Sequence, residues 1–227
     1  MNRRIWELDA FRGICILGMV LIHLLYDRGI SLSPFLFAVK NLGAIAFILL
    51  SGICVTLGRH SVRRGLLVLG CGMLCTLATA CLVWLGFASR GLISWFGILH
   101  CLGSCMLLWP VFHRVTLPVL ALLGVLLVAV GLWLDTGVYV DFPWLSPLGL
   151  THPHFASSDY FPLLPNLGWF LLGATAGKVL YSKKRSLLPK VNTQQPILRF
   201  LCFCGRHSLF IYLGHQPLIL ALLWAFS

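Results

Sequence analysis

Long apolar runs, each ended by a short cluster of charged or turn-forming residues, recur along the 227-residue chain. A helix that crosses a membrane needs about 20 mostly apolar residues, and in lipid such a run can satisfy its backbone only as a helix. Seven runs qualify: approximately 8–26, 35–57, 65–88, 93–112, 117–134, 163–181 and 207–226. The fourth is the least regular, with Pro110 near its end. The sixth begins after Pro162 and Pro165, residues that suit a first helical turn. The pattern predicts an all-α fold, a polytopic membrane helix bundle of about seven transmembrane helices in one domain over residues 1–227. There is no internal repeat and no low-complexity tract.

The charged residues between the runs orient the bundle. Arg3 and Arg4, Arg59, Arg63 and Arg64, Arg114, and the series Lys178, Lys183, Lys184, Arg185, Lys190, Arg199 and Arg206 fall on one side. The opposite side receives Asp27, Arg28, Arg90, Asp135, Asp141 and Asp159. Cytoplasmic loops carry the excess of Lys and Arg, so the N-terminus is expected inside and the C-terminus outside, in a multi-pass protein of the inner (cytoplasmic) membrane. Two loops are long. The outer one, 135–162, is rich in aromatic residues and proline, with Phe142-Pro143-Trp144, His152-Pro153-His154 and Asp159-Tyr160-Phe161-Pro162. It reads as a stiff interfacial cap or as a lid over an outward-facing site. The inner one, 182–199, is basic and polar, and is expected to sit on anionic lipid headgroups.

Composition agrees with the pattern and removes alternatives. The chain is 59% hydrophobic and 10% charged, whereas soluble domains carry roughly 25% charged residues. It lacks the polar side chains to cover a water-facing surface. A net charge of +11 raises nucleic acid as a partner, but the cations come in short clusters between apolar runs rather than in one basic patch. The nine cysteines lie almost entirely inside apolar runs and read as packing. Cys202 and Cys204 lack the second pair that zinc requires, so no metal is expected. The first run leads into Tyr26-Asp27-Arg28, not into a small-residue cleavage site, and is expected to remain as the first helix.

Ionisable residues inside membrane spans are costly and therefore candidates for function. Asp9 and Arg12 lie at the inner end of the first span and His23 further along it. His100 lies in the fourth and His215 in the seventh. Lys40 sits near a helix end, where it can snorkel. Arg12 and His23 are eleven residues apart, three turns or roughly 16 Å on nearly one face. Asp27, four residues after His23, is within reach of the imidazole. A carboxylate on one ring nitrogen fixes the tautomer and raises the basicity of the other, which is what a general base needs. Depth places His100 and His215 in the same mid-to-outer layer, where each is either a catalytic partner or a helix–helix hydrogen bond.

The run Glu7-Leu8-Asp9-Ala10-Phe11-Arg12-Gly13, followed by His23 and Tyr26-Asp27, resembles the opening motif of the heparan-α-glucosaminide N-acetyltransferase catalytic-domain family. So do Ser51-Gly52, Phe96-Gly97-Ile98-Leu99-His100-Cys101-Leu102-Gly103, Asp159-Tyr160-Phe161-Pro162, Gly205-Arg206-His207-Ser208-Leu209 with Ile211-Tyr212, and His215-Gln216-Pro217. The resemblance runs the length of the chain. The spacing of Arg12 and His23 also resembles a signature of the wider transmembrane acyltransferase superfamily.

The resemblance implies transfer of an acetyl group from acetyl-CoA, a cosubstrate, in the cytoplasm to an acceptor on the far side, a sugar or other envelope component. His23 is the nearest match to the family's essential histidine. On this reading Arg12, Arg59, Arg63, Arg64 and Arg206 offer charged hydrogen bonds to the donor's phosphates. His23 deprotonates the acceptor with Asp27 orienting it, and His100, His215 or Asn166 stabilises the oxyanion. Asp9 pairs with Arg12 or serves structure, and Asp159 and His207 are motif residues for structure or substrate. Membrane lipids, the acyl-CoA donor and the acceptor are the implied partners, with homo-oligomerisation left open. The alternatives are a proton-coupled transporter or flippase using His23 and Asp27 as a relay, and a bis-histidine haem protein.

Overall fold

A computed structural model describes residues 5–31, 33–87, 89–136, 140, 142–152 and 155–225. Arg3, Arg4, Asp141, Pro153, His154 and the expected helix ends at Ala88 and Phe226 lie outside the described residues. Among those described, the chain forms eight α-helices, two short 3-10 turns and no β-strand. The helices are α1 (Trp6–Asp27), α2 (Pro34–Leu57), α3 (Ser61–Trp84), α4 (Ile98–Phe112), α5 (Leu117–Leu134), α6 (Leu163–Leu180), α7 (Pro196–Arg206) and α8 (Ser208–Ala225). The fold is all-α and polytopic.

Five helices, α1, α2, α3, α5 and α6, are long and apolar enough to cross a membrane. The α7–α8 pair, bent by 85°, counts as a sixth. Seven spans were expected, and the difference lies in α4. Its 15 residues rise about 22 Å, short of a hydrocarbon core of about 30 Å. Residues 93–97 do not extend it because their backbone is used elsewhere. Phe96 pairs with Tyr160 in an isolated parallel bridge, and the Ser94 and Trp95 N–H groups donate to Thr79 and Ser157 hydroxyls at 3.2 Å each.

The chain divides into two compact units, one of Met1–Leu50 with Leu180–Ser227 and one of Ser51–Val179. In the first, α1 packs against α7 and α8. A Cβ on Gly205 would overlap the Asp9 carbonyl, and one on Gly13 the Leu201 carbonyl. Glycine therefore lets α1 and α7 meet backbone to backbone, a means of helix association suited to lipid. The segment before α7 is stitched to the start of α1. Glu7 accepts hydrogen bonds from the Ser186 hydroxyl (2.8 Å) and the Leu187 N–H (2.7 Å), and the Trp6 indole donates to the Leu188 carbonyl at 3.4 Å.

In the second unit α3 packs on α4, and Gly168 faces Gly124 to bring α6 close to α5. Phe170, Leu171, Ala174, Leu120, Cys101 and Cys105 form its fully buried core. The described part of the 135–162 loop is held down rather than loose. Phe161 N–H donates to the Phe96 carbonyl (2.8 Å), the Ser158 hydroxyl to the Leu92 carbonyl (2.7 Å), and the Tyr160 hydroxyl to the Ser146 carbonyl (2.7 Å). Burial, with a smaller contribution from the Asp135 charge, pushes the Tyr160 phenol up to about 12.

Candidate functional site

In the first unit α1 and α8 bring two histidines together. The His23 and His215 ring centroids are 4.9 Å apart, with the planes at 66°, edge to face. The His23 Nδ1 lies 2.9 Å from the Met19 carbonyl oxygen, and the His215 Nδ1 bonds the Tyr212 carbonyl oxygen. A carbonyl oxygen only accepts, so both Nδ1 atoms carry a proton. In the neutral rings the lone pair is therefore on Nε2. Each helix fixes the tautomer of its own histidine, through the carbonyl three or four residues back. His215 is buried and His23 half-buried, and the Tyr212 ring lies 5.5 Å from that of His215.

Asp27 closes the end of this cluster, but not as expected. The carboxylate accepts from the Gln216 side-chain amide, Nε2 to Oδ2 at 2.9 Å, and does not bond the His23 ring. The spacing on α1 allowed the His23–Asp27 pair. A neighbouring helix offered a neutral donor instead, and the Met19 carbonyl took the imidazole N–H. It is thus the Met19 carbonyl, not Asp27, that holds the His23 Nδ1–H. Gln216 was passed over in the sequence as part of the His215-Gln216-Pro217 motif. Its signal was adjacency to an intramembrane histidine.

His100, Asp159 and Asn166 belong to the second unit and secure helix ends there. The Gly97 N–H donates to the His100 Nδ1 (3.2 Å), which closes the start of α4. The His100 Nε2 donates to the Thr76 hydroxyl oxygen (3.3 Å), whose own proton goes to the Ser94 carbonyl. Both imidazole nitrogens are thus engaged by the protein in the neutral form. Asp159 Oδ2 accepts the Ile98 N–H at 3.0 Å, placing a carboxylate at the positive end of α4. The buried Asn166 donates to the Pro162 carbonyl at 2.7 Å, at the start of α6.

The cations divide between the units. Arg59 and Arg63 line an open cleft of about 630 Å³ at the turn from α2 to α3, with His60, Trp109, Pro110 and His113. No carboxylate lines it among the described residues. His60 and His113 were missed in the sequence because they flank the apolar runs rather than interrupt them. In the first unit, Arg12 and Asp9 are half-buried on the early turns of α1. Arg206 ends α7, its Nε donating to the Cys202 carbonyl (3.0 Å). His207 is exposed at the break between α7 and α8, where its Nδ1 donates to the Phe203 carbonyl (2.9 Å). Among the described residues no three His, Cys, Asp or Glu side chains converge on one point.

The family model described as heparan-alpha-glucosaminide N-acetyltransferase, catalytic, matches residues 4–217. Neither curated proteins nor solved structures gave a match.

Proposed function

The chain belongs to the heparan-α-glucosaminide N-acetyltransferase catalytic-domain family, a family of membrane acetyltransferases. From that premise we propose that it moves an acetyl group from cytoplasmic acetyl-CoA to a sugar or other envelope component at the extracytoplasmic side of the inner membrane. The observation that carries this reading is the His23–His215 pair beside the Asp27–Gln216 bridge.

His23 is the general base. With Nδ1–H tied to the Met19 carbonyl, Nε2 takes the acceptor's proton while the acceptor oxygen or nitrogen attacks the thioester carbonyl. The C–S bond then breaks, and the departing coenzyme A thiolate takes the proton back from the imidazolium. Asp27, on the next turn of α1, is held in place by Gln216. The His215 ring packs edge to face against His23 and limits the orientation of its imidazole. Its Nδ1–H is already given to Tyr212, so the neutral ring is no donor to an oxyanion. His100 and Asn166, with their polar atoms engaged in holding α4 and α6, are assigned to structure.

The donor is polyanionic, and a cleft lined by Arg59, Arg63, His60 and His113 without a carboxylate suits its phosphates, through the bidentate contacts that guanidinium makes. Arg12 and Arg206 are assigned the same chemistry. The test is transfer of isotope from labelled acetyl-CoA into cell-envelope fractions by the purified protein in proteoliposomes. Protein-dependent labelling is expected. Proton-coupled solute uptake with no need for any acyl-CoA would replace the reading by a transporter.

A further inference from the structure

Helix α7 lies outside every long apolar run, and its place in the fold has its own logic. Helix α8 alone has 18 residues, a rise of about 27 Å that nearly matches the hydrocarbon core of about 30 Å. Adding the 11 residues of α7 in line would give about 43 Å. The chain instead turns through 85° between them. Contacts to α1 fix the height of α7. Gly205 lies against the Asp9 carbonyl, Leu201 against Gly13, and the Cys202 thiol reaches the Trp6 carbonyl (3.5 Å). These contacts all fall within about the first two turns of α1.

The two faces of α7 differ. Leu201, Cys202, Cys204 and Gly205 turn toward α1 or are buried, while Phe200 and Phe203 are more than half exposed and Arg199 and Arg206 stand beside them, also exposed. Just before α7, the side chains of Lys183, Lys184, Arg185 and Lys190 are exposed. From residue 182 to 206 there are six Lys and Arg and no Asp or Glu. The nearby Glu7 carboxylate is taken up by Ser186 and Leu187. A helix with an aromatic flank, a basic flank and a right-angle turn into a span is built to lie in the membrane surface.

We propose that α7 and the 182–195 segment form an in-plane interfacial element that binds the phosphates of anionic lipid headgroups. Phe200 and Phe203 sit at the acyl-chain boundary, and Lys183, Lys184, Lys190 and Arg199 contact the phosphates. The occupant is lipid because exposed cations and exposed phenylalanines occur together in this element, which is anchored where α1 begins.

The test uses the full chain in nanodiscs of phosphatidylcholine and phosphatidylglycerol. A benzoylphenylalanine photo-crosslinker at Phe203 is expected to give lipid acyl adducts. Native mass spectrometry of retained lipid is expected to show phosphatidylglycerol enriched over its share of the mixture. Each cation at such a surface favours the anionic lipid by about fivefold. The combined Lys183→Gln, Lys184→Gln, Lys190→Gln and Arg199→Gln variant should therefore lose the enrichment while keeping the thermal stability of the parent in detergent. Crosslinks from position 203 to protein alone, equal retention of both lipids by the parent, or undiminished enrichment in the variant would each overturn the proposal. The crosslinking arm stands even if the charge variant fails to fold.

Discussion

Replacing Asp159 by alanine separates a residue that builds the fold from one that touches substrate. Asp159 Oδ2 accepts the Ile98 N–H at 3.0 Å, in the first turn of α4. A hydrogen bond to a charged group contributes about 1.5–3 kcal/mol, and a carboxylate at a helix N-terminus adds about 0.3–1 kcal/mol. The loss is then about 2–4 kcal/mol, which for a chain of this size lowers Tm by about 5–15 °C. Asp159→Asn keeps an acceptor oxygen but not the charge, and should fall between parent and alanine variant. Several of the nine cysteines, Cys101, Cys105 and Cys204 among them, are buried, so a thiol-reactive fluorogenic dye reports unfolding in detergent. Activity per folded molecule should be retained in both variants. An unchanged Tm for Asp159→Ala with turnover abolished would refute the capping role and make Asp159 a contact of the acceptor.

Arg59→Ala and Arg63→Ala should each weaken coenzyme A binding by about 1.5–3 kcal/mol in titration calorimetry without changing Tm; unaltered affinity in both would remove the cleft from the donor site. With the short α4 completing a seventh crossing, a reporter fused after Lys184 should read cytoplasmic and one after Ser227 extracytoplasmic; a cytoplasmic C-terminal reporter would leave α4 out of the count and mean an even number of spans. Tyr160, raised by burial to about 12 in the fold, lends stability that is present below its unfolded value near 10 and is lost as pH rises through 12. Between pH 10 and 12 the parent should therefore lose more stability than Tyr160→Phe, and identical losses would contradict the buried phenol.

Much of the fold was legible because a membrane span is a length of apolar chain. The ends of α1, α2, α5 and α6 fall within two residues of the runs that predict them. Helix α7 escaped because its information is not length but period. Leu198, Leu201, Cys202 and Gly205 share one face while Arg199 and Arg206 share another, and a window tuned to twenty apolar residues averages this away. The start of α4 escaped for a different reason. The His100 ring takes the Gly97 N–H locally, but the cap on Ile98 comes from Asp159, 61 residues further along the chain.

The site shows the same division. Counting depth along helices brought His23 and His215 to one layer, and their rings do meet. The same count gave no means of choosing between a catalytic and a structural His100, because the position of a residue along a helix does not reveal which neighbours its ring will find. Thr76 and the Gly97 N–H occupy both nitrogens. The identity of Asp27's partner was also a tertiary matter, settled by Gln216 from a helix near the other end of the chain.

The central claim is that Nε2 of His23 takes the acceptor's proton, and activity per folded molecule in His23→Ala and His23→Gln tests it most directly. Loss of a general base costs about 10²–10⁴-fold in rate. His23 lies eleven residues, roughly 16 Å, along α1 from Arg12, so its loss should strike turnover and leave coenzyme A affinity nearly intact. The account predicts folded variants that bind donor and transfer acetyl groups at least a hundred times more slowly. Folded His23→Ala or His23→Gln with normal turnover would contradict it, and would leave His23 as a packing partner of His215.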